Sequence, residues 1–129
     1  SWFTAQNDIP RVYAAFSEDG GAHFGNPIRI DGGEPLGRIA MVLLNDGSAL
    51  ISWLEPDNAS TALKIVKVSK EGSQSQPINM VNTSAERQSG FPQLAVLDDQ
   101  IYIAYTLLVD QNSTVKMVSL PLNQLALGN

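Results

Sequence analysis

The chain has 129 residues, of which 43% are hydrophobic, and this fits one domain that buries on the order of two-thirds of its unfolded surface. Its net charge of −5, with eight scattered Lys and Arg residues, argues against nucleic acid or a membrane surface as a partner, because both require clustered positive charge. There is no Cys and one His, so disulfides are excluded and neither a metal nor a cofactor is predicted. No apolar run approaches the roughly 20 residues that span a bilayer, and the first ten residues lack the features of a signal peptide, so no compartment is predicted.

Short runs rich in Val, Ile, Leu, Tyr and Trp alternate along the chain with Gly, Pro, Asn, Asp and Ser, which is the pattern of an antiparallel β protein. Asn45-Asp46-Gly47 and Asp98-Asp99 each join two apolar runs with residues that tolerate positive φ, so hairpins are expected there. The predicted strands, in chain order, are 2–5, 11–16, 27–30, 38–44, 49–54, 62–68, 77–81, 93–97, 101–107 and 114–120.

The chain also repeats itself. The segment FSEDGGAHFGNPIRI aligns with VSKEGSQSQPINM so that Ser17 matches Ser69, at an offset of 52 (69 − 17). The segment around LNDGSALISWL aligns independently with LDDQIYIAYTL, with Trp53 on Tyr105 at the same offset (105 − 53). A period near 50 residues made of four short strands is typical of one blade of a β-propeller.

The loop SEDGGAHF, residues 17–24, carries the most specific motif. Ser17, Asp19, Gly21 and Phe24 stand at relative positions 1, 3, 5 and 8, which resembles the Asp box of sialidases and other BNR-repeat β-propellers. We expect Asp19 to accept hydrogen bonds from backbone N–H groups of its own turn, and Phe24 to fold back onto apolar neighbours. The motif is therefore predicted to be structural, and residues 69–76 are a degraded copy of it.

The resemblance extends over nearly the whole chain. The runs SWFT, PLGRIAMVLLNDGSALISWLE and RQSGFPQLAVLDDQIYIAYT are similar to the C-terminal part of bacterial exo-sialidase-like propeller domains. This resemblance implies antiparallel four-stranded blades of the six-bladed type, of which the chain supplies about two and a half. Residues 1–129 then form a single partial propeller domain, with a partial blade at 1–31, a full blade at 37–83 and a second partial blade at 90–120.

The resemblance also implies where a ligand site lies. Strand direction alternates within a blade, so the 17–24 loop faces away from the end that carries Arg38, Arg87, Glu55 and Asp57, which are the candidate binding residues. Sialidases hold a substrate carboxylate with three arginines, and Arg38 and Arg87 resemble two of these by position. The alternative is that both arginines are solvated or pair with neighbouring glutamates. No catalytic residue is assigned, because no Tyr–Glu nucleophile pair can be identified.

Two functions remain open. The first is a non-catalytic propeller module that binds a glycan or another small anionic ligand, or that serves assembly. The second is a fragment of a glycoside hydrolase of the exo-sialidase type, or a hydrolase completed by oligomerisation. Two of the predicted blades leave a face uncovered, so the expected partner is either a second copy of the chain, in a homodimer, or the remainder of a longer propeller.

Overall fold

A computed structural model describes residues 1–83 and 90–128, and the predicted all-β class is confirmed. Each of the ten predicted strands is present, with bounds shifted by a few residues. No helix among the described residues is long and apolar enough to cross a membrane. The strands are β1 (Trp2–Thr4), β2 (Arg11–Ala14), β3 (Ile28–Arg29), β4 (Gly37–Leu43), β5 (Ala49–Asp57), β6 (Ser60–Val68), β7 (Ile78–Thr83), β8 (Gln93–Leu97), β9 (Gln100–Val109) and β10 (Asn112–Pro121).

These strands form three antiparallel sheets in which each strand pairs with the next one along the chain. The first sheet contains β1-β2-β3, the middle sheet β4-β5-β6-β7 and the third sheet β8-β9-β10. Two-residue turns with positive φ at both positions close two hairpins of the third sheet, at Asp98-Asp99 and at Asp110-Gln111. Such turns match the twist of paired strands, which explains why β9 and β10 extend further than predicted.

The middle sheet is covered on both faces. Along β5, Ile51 and Trp53 pack with the first sheet, whereas Leu50 and Leu54 pack with the third. Successive side chains of a strand point to opposite faces, so a strand that is buried on both sides is apolar at nearly every position. The run ALISWL therefore marks the centre of the fold.

The pairing registers show the repeat, with one correction to its spacing. Trp53 pairs with Lys64 in the middle sheet and Tyr105 with Lys116 in the third, which is an offset of 52 for both strands (105 − 53; 116 − 64). In the first sheet Trp2 pairs with Tyr13, an offset of 51. The offset of 52, which the sequence gives for Ser17 and for Trp53, therefore does not extend to β1 and β2, because one residue fewer lies between β2 and Ser17 than between the equivalent points of the middle sheet.

Candidate functional site

The strand β4 begins with an irregularity that involves Arg38. Gly37 pairs with Leu54, but the next pair is Ala40 with Ser52, so β4 carries one extra residue there, as in a β-bulge. Gly37 and Arg38 both have positive φ, of 83° and 53°. The other described non-glycine residues with positive φ are Asn, Asp or Gln between strands, where this conformation is common. Arg38 is thus a bulky residue held in an unfavourable conformation inside a strand.

Arg38 lines an open groove of about 570 Å³ where all three sheets approach one another, and we call it the Arg38 groove. Arg38 Nη1 donates a hydrogen bond of 3.2 Å to the carbonyl oxygen of Gly90. Arg38 lies at the start of β4 and Gly90 precedes β8, so the groove lies between the starts of the first strands of two neighbouring sheets. The residues that line it are Phe3, Leu36, Gly37, Arg38, Ile39, Gly90 and Phe91.

Glu55, the second candidate, lies elsewhere in a buried network. Its carboxylate accepts a hydrogen bond of 3.1 Å from Trp53 Nε1 and forms an ion pair of 3.3 Å with Lys64 Nζ. Gly33 lies so close that a Cβ there would come within 2.7 Å of Glu55 Oε1. Glu55 therefore packs on the side of the middle sheet that faces the first sheet, and it is not among the residues of the groove.

Asp57 and Arg87 complete the candidate set. Asp57 is half-buried at the end of β5 and accepts hydrogen bonds of 3.3 Å from the side-chain amides of Asn58 and Asn79. It does not line the groove either. Arg87 lies outside the described residues. Of the candidates that the structure describes, only Arg38 is therefore placed in the groove.

Sequence reasoning missed the aromatic walls of the groove. Phe3 and Phe91 are both exposed, and each comes from a different sheet or its approach. A Phe beside a strand is usually a core residue, so nothing in the sequence pattern distinguishes these two rings from buried ones.

The 17–24 loop lies at the opposite end of the strands and is tied by its own side chains. Ser17 Oγ accepts a hydrogen bond of 2.8 Å from the Gly21 N–H, and Asp19 Oδ1 accepts one of 2.9 Å from the His23 N–H. His23 Nδ1 lies 2.6 Å from Asp19 Oδ2. The backbone bond from His23, followed by the side-chain bonds of His23 and Ser17, lowers the pKa of Asp19 to about 2.

The degraded copy of this loop keeps one of these bonds. Ser69 Oγ accepts a hydrogen bond of 3.2 Å from the Ser73 N–H, at the positions equivalent to Ser17 and Gly21. The loops also meet, because Lys70 forms an ion pair with Glu18, its equivalent in the repeat. Among the described residues, no group of three His, Asp or Glu side chains is arranged to hold a metal.

The expectation that Phe24 packs onto its neighbours is wrong. Its side chain is 65% exposed and lines a shallow groove with Trp2 and Pro27 at the outer face of the first sheet. The physical reason is that none of the sheets formed by residues 1–83 and 90–128 covers this face, so the ring lacks an apolar surface to pack against.

Comparison with known proteins does not add to this description, since no family model, curated protein or solved structure matches the chain.

Proposed function

We propose that the three sheets are consecutive blades of a sialidase-like β-propeller, and that the Arg38 groove binds a small anionic ligand, a sugar that carries a carboxylate, without converting it. Two observations support the propeller. The strands β5 and β6 follow β1 and β2 at an offset of 51 residues and are followed by β9 and β10 at an offset of 52, and the loops that begin at Ser17 and Ser69 each contain the same hydrogen bond from a backbone N–H to the serine Oγ.

The bulge at Arg38 is the observation that carries the proposed site. Bulges redirect side chains and occur next to binding sites, and a residue with strained backbone is retained where the surrounding structure or the function requires it. The planar guanidinium of Arg38 suits a carboxylate, which it can bind through two parallel hydrogen bonds. The apolar surroundings strengthen such an interaction relative to water.

The shape and lining of the groove fit a monosaccharide. Its volume of about 570 Å³ lies within the roughly 300–1,000 Å³ of small-molecule sites. Such sites combine mostly apolar walls with a few polar groups that fix the orientation of the ligand. In the groove, Phe3 and Phe91 would contact the apolar face of a sugar ring while Arg38 binds its carboxylate.

Binding without conversion is favoured by what lines the groove. Glycoside hydrolysis needs a general acid and a nucleophile or base beside the bond that breaks. Among the described residues that line the groove there is neither a carboxylate nor a tyrosine. The alternative, an exo-sialidase-type hydrolase, would need these groups from residues that do not line it here.

Titration by NMR tests the site directly. The probes are the methyl glycoside of a sialic acid and the methyl ester of the same glycoside, which lacks the negative charge. We expect the acid to shift the amide signals of Gly37, Gly90 and Phe91 and the ester to bind more weakly. Arg38→Lys keeps the charge but loses the planar donor pair, so the Kd for the acid should rise about tenfold or more, since a hydrogen bond to a charged group contributes about 1.5–3 kcal/mol.

The matched control removes one positive charge elsewhere. Lys116 is exposed on β10, and Lys116→Ala should leave the Kd unchanged. Equal shifts from acid and ester, or no shift in the groove, would contradict the proposed ligand class. Release of a chromogenic aglycone from a sialoside, lost in Arg38→Lys, would decide for the hydrolase.

A further inference from the structure

We infer that the uncovered face of the third sheet binds the uncovered face of the first sheet in a second copy of the chain. The inference does not depend on whether the Arg38 groove binds a ligand. It follows from the repeat, because the middle sheet shows what covers each of these two faces.

The third sheet exposes an apolar face on β10. Val115 and Met117 are 74% and 68% exposed. Their equivalents in the middle sheet, 52 residues earlier, are Leu63 and Ile65, and both are fully buried in the cluster shared with the third sheet. The same side-chain positions are therefore core residues in one sheet and surface residues in the next.

The first sheet exposes the complementary face. Trp2 is 40% exposed and stacks on Tyr13, with ring centroids 5.6 Å apart. At the offset of 51, Trp2 corresponds to Trp53, which is fully buried against the first sheet. Phe24 adds a further exposed ring beside Trp2. This face therefore also has the composition of a contact between sheets.

The middle sheet shows which type of face meets which. Its Leu63 and Ile65 lie in one cluster with Tyr105 of the third sheet, and Tyr105 is the equivalent of Trp53 and hence of Trp2. The face with Val115 and Met117 should accordingly meet the face with Trp2. The two faces belong to the outermost of the three sheets described, so in a sample of these 129 residues alone the complementary face is presented by a second copy, in a head-to-tail arrangement.

Charge does not oppose this contact. The face of the third sheet presents uncharged side chains at the strand positions that share it, such as Gln93, Ala95, Tyr102, Val115 and Met117. The first sheet presents two arginines that already have partners. Arg11 donates to the carbonyl oxygen of Gly33, and Arg29 pairs with Asp31. Burial would therefore leave Arg29 paired with a carboxylate and Arg11 hydrogen-bonded to backbone carbonyl oxygens, which lowers the cost of covering the two charges.

Two copies joined reciprocally bring six sheets together, and a two-fold arrangement closes without leaving a free face. That two copies are enough to close the ring rests on the proposed propeller, whereas the pairing of the two faces does not. Light scattering after size exclusion should give twice the mass of the 13.9 kDa chain. A monomer would overturn the inference.

Variants test which residues form the contact. Met117→Glu places a charge on the face of the third sheet and should yield monomers that keep the circular dichroism spectrum of the parent, because the side chain is exposed in the single chain. Asn123→Glu adds the same charge at an exposed position outside both faces and should leave the dimer intact. A dimer that survives Met117→Glu would contradict the proposed interface.

Cross-linking tests the orientation, and the absence of native cysteines makes it specific. Trp2→Cys and Met117→Cys chains, mixed and treated with a short bismaleimide, should give a cross-linked dimer, whereas each variant alone should not. A cross-link in the Met117→Cys sample alone would mean that two third sheets face each other, and this would overturn the head-to-tail pairing. Neither outcome bears on the sugar titration, so failure of one proposal is distinguishable from failure of the other.

Discussion

Ser52 is a polar residue at a buried position whose neighbours are apolar. It lies on β5 between Leu50 and Leu54, on the face packed against the third sheet, and it is fully buried. Its hydroxyl is the buried side-chain oxygen that has no hydrogen-bond partner within the described ranges. The third sheet has Ala104 at the equivalent position, so the strand geometry accommodates a side chain without the hydroxyl.

Ser52→Ala should therefore stabilise the protein. Burying an unpaired hydroxyl costs about 1–2 kcal/mol, and the free energy of unfolding should rise by a comparable amount, measured by urea denaturation. Ser48→Ala is the matched control, since the buried Ser48 hydroxyl donates to Asp46, and this variant should be less stable than the parent. A loss of stability in Ser52→Ala would show that its hydroxyl has a partner after all.

A substitution of Glu55 distinguishes a structural role of this residue from a role in ligand binding. Its removal leaves the buried Trp53 N–H without an acceptor, so Glu55→Ala should lower the free energy of unfolding by about 1–3 kcal/mol, seen as a lower urea midpoint. Because Glu55 does not line the Arg38 groove, the Kd of the folded variant for the sialic acid glycoside should stay within a factor of two of the parent's. Loss of binding at unchanged stability would instead assign Glu55 to the ligand site.

At the level of elements, the start of β4 is held by a close contact between two sheets. Gly37 has a φ of 83°, and a Cβ there would lie 3.1 Å from the ring of Phe3. Gly37→Ala should reduce the free energy of unfolding by about 1–3 kcal/mol, because both the conformation and the contact become strained. Gly32→Ala serves as control in a thermal melt: a Cβ at Gly32 meets no atom and needs no positive φ, so little change is expected. Equal effects of the two substitutions would argue against a tight contact at Gly37.

The 17–24 loop should make stability sensitive to acid. The pKa of Asp19 falls from 3.8 to about 2 on folding, so its ionised form stabilises the folded state fully above pH 3.8, and this contribution is lost as the pH falls through 2. Asp19→Asn should melt at a lower temperature than the parent at pH 7, and the difference should shrink between pH 4 and pH 2. Asp46, whose pKa the Ser48 hydroxyl and Lys67 also lower to about 2, leaves some acid sensitivity in the variant. A difference in melting temperature that is constant with pH would contradict this role.

The elements were largely predictable because their signals are local. Alternating apolar runs give each strand, and pairs such as Asp98-Asp99 give a turn wherever positive φ is needed at consecutive residues. The register of the first sheet was not predictable from the same signals. Aligning on Ser17 fixes the loop, but the single residue missing between β2 and that loop shifts every side chain of β1 and β2 relative to the repeat.

At the scale of the whole molecule, the groove and the uncovered faces arise from several sheets together. Arg38 could be selected from its place at the start of a predicted strand, but the exposure of Phe3 and Phe91 depends on how separate sheets converge. The same limit applies to Phe24, which is 65% exposed because its packing requires a surface that the described residues do not supply. Val115 and Met117 look like core residues in the sequence, and the repeat explains why: their equivalents in the middle sheet are core residues.

Oxidation of methionine tests most directly whether the uncovered face of the third sheet is a contact surface. Met117 is 68% exposed and Met41, on β4 away from that face, is 48% exposed, so the two serve as probe and internal reference. Peptide mass spectrometry after brief peroxide treatment gives the ratio of their oxidation rates. We expect Met117 to react at least as fast as Met41 in dilute protein and several-fold more slowly in concentrated protein, where a second copy covers it. A ratio that does not change with protein concentration would contradict the account.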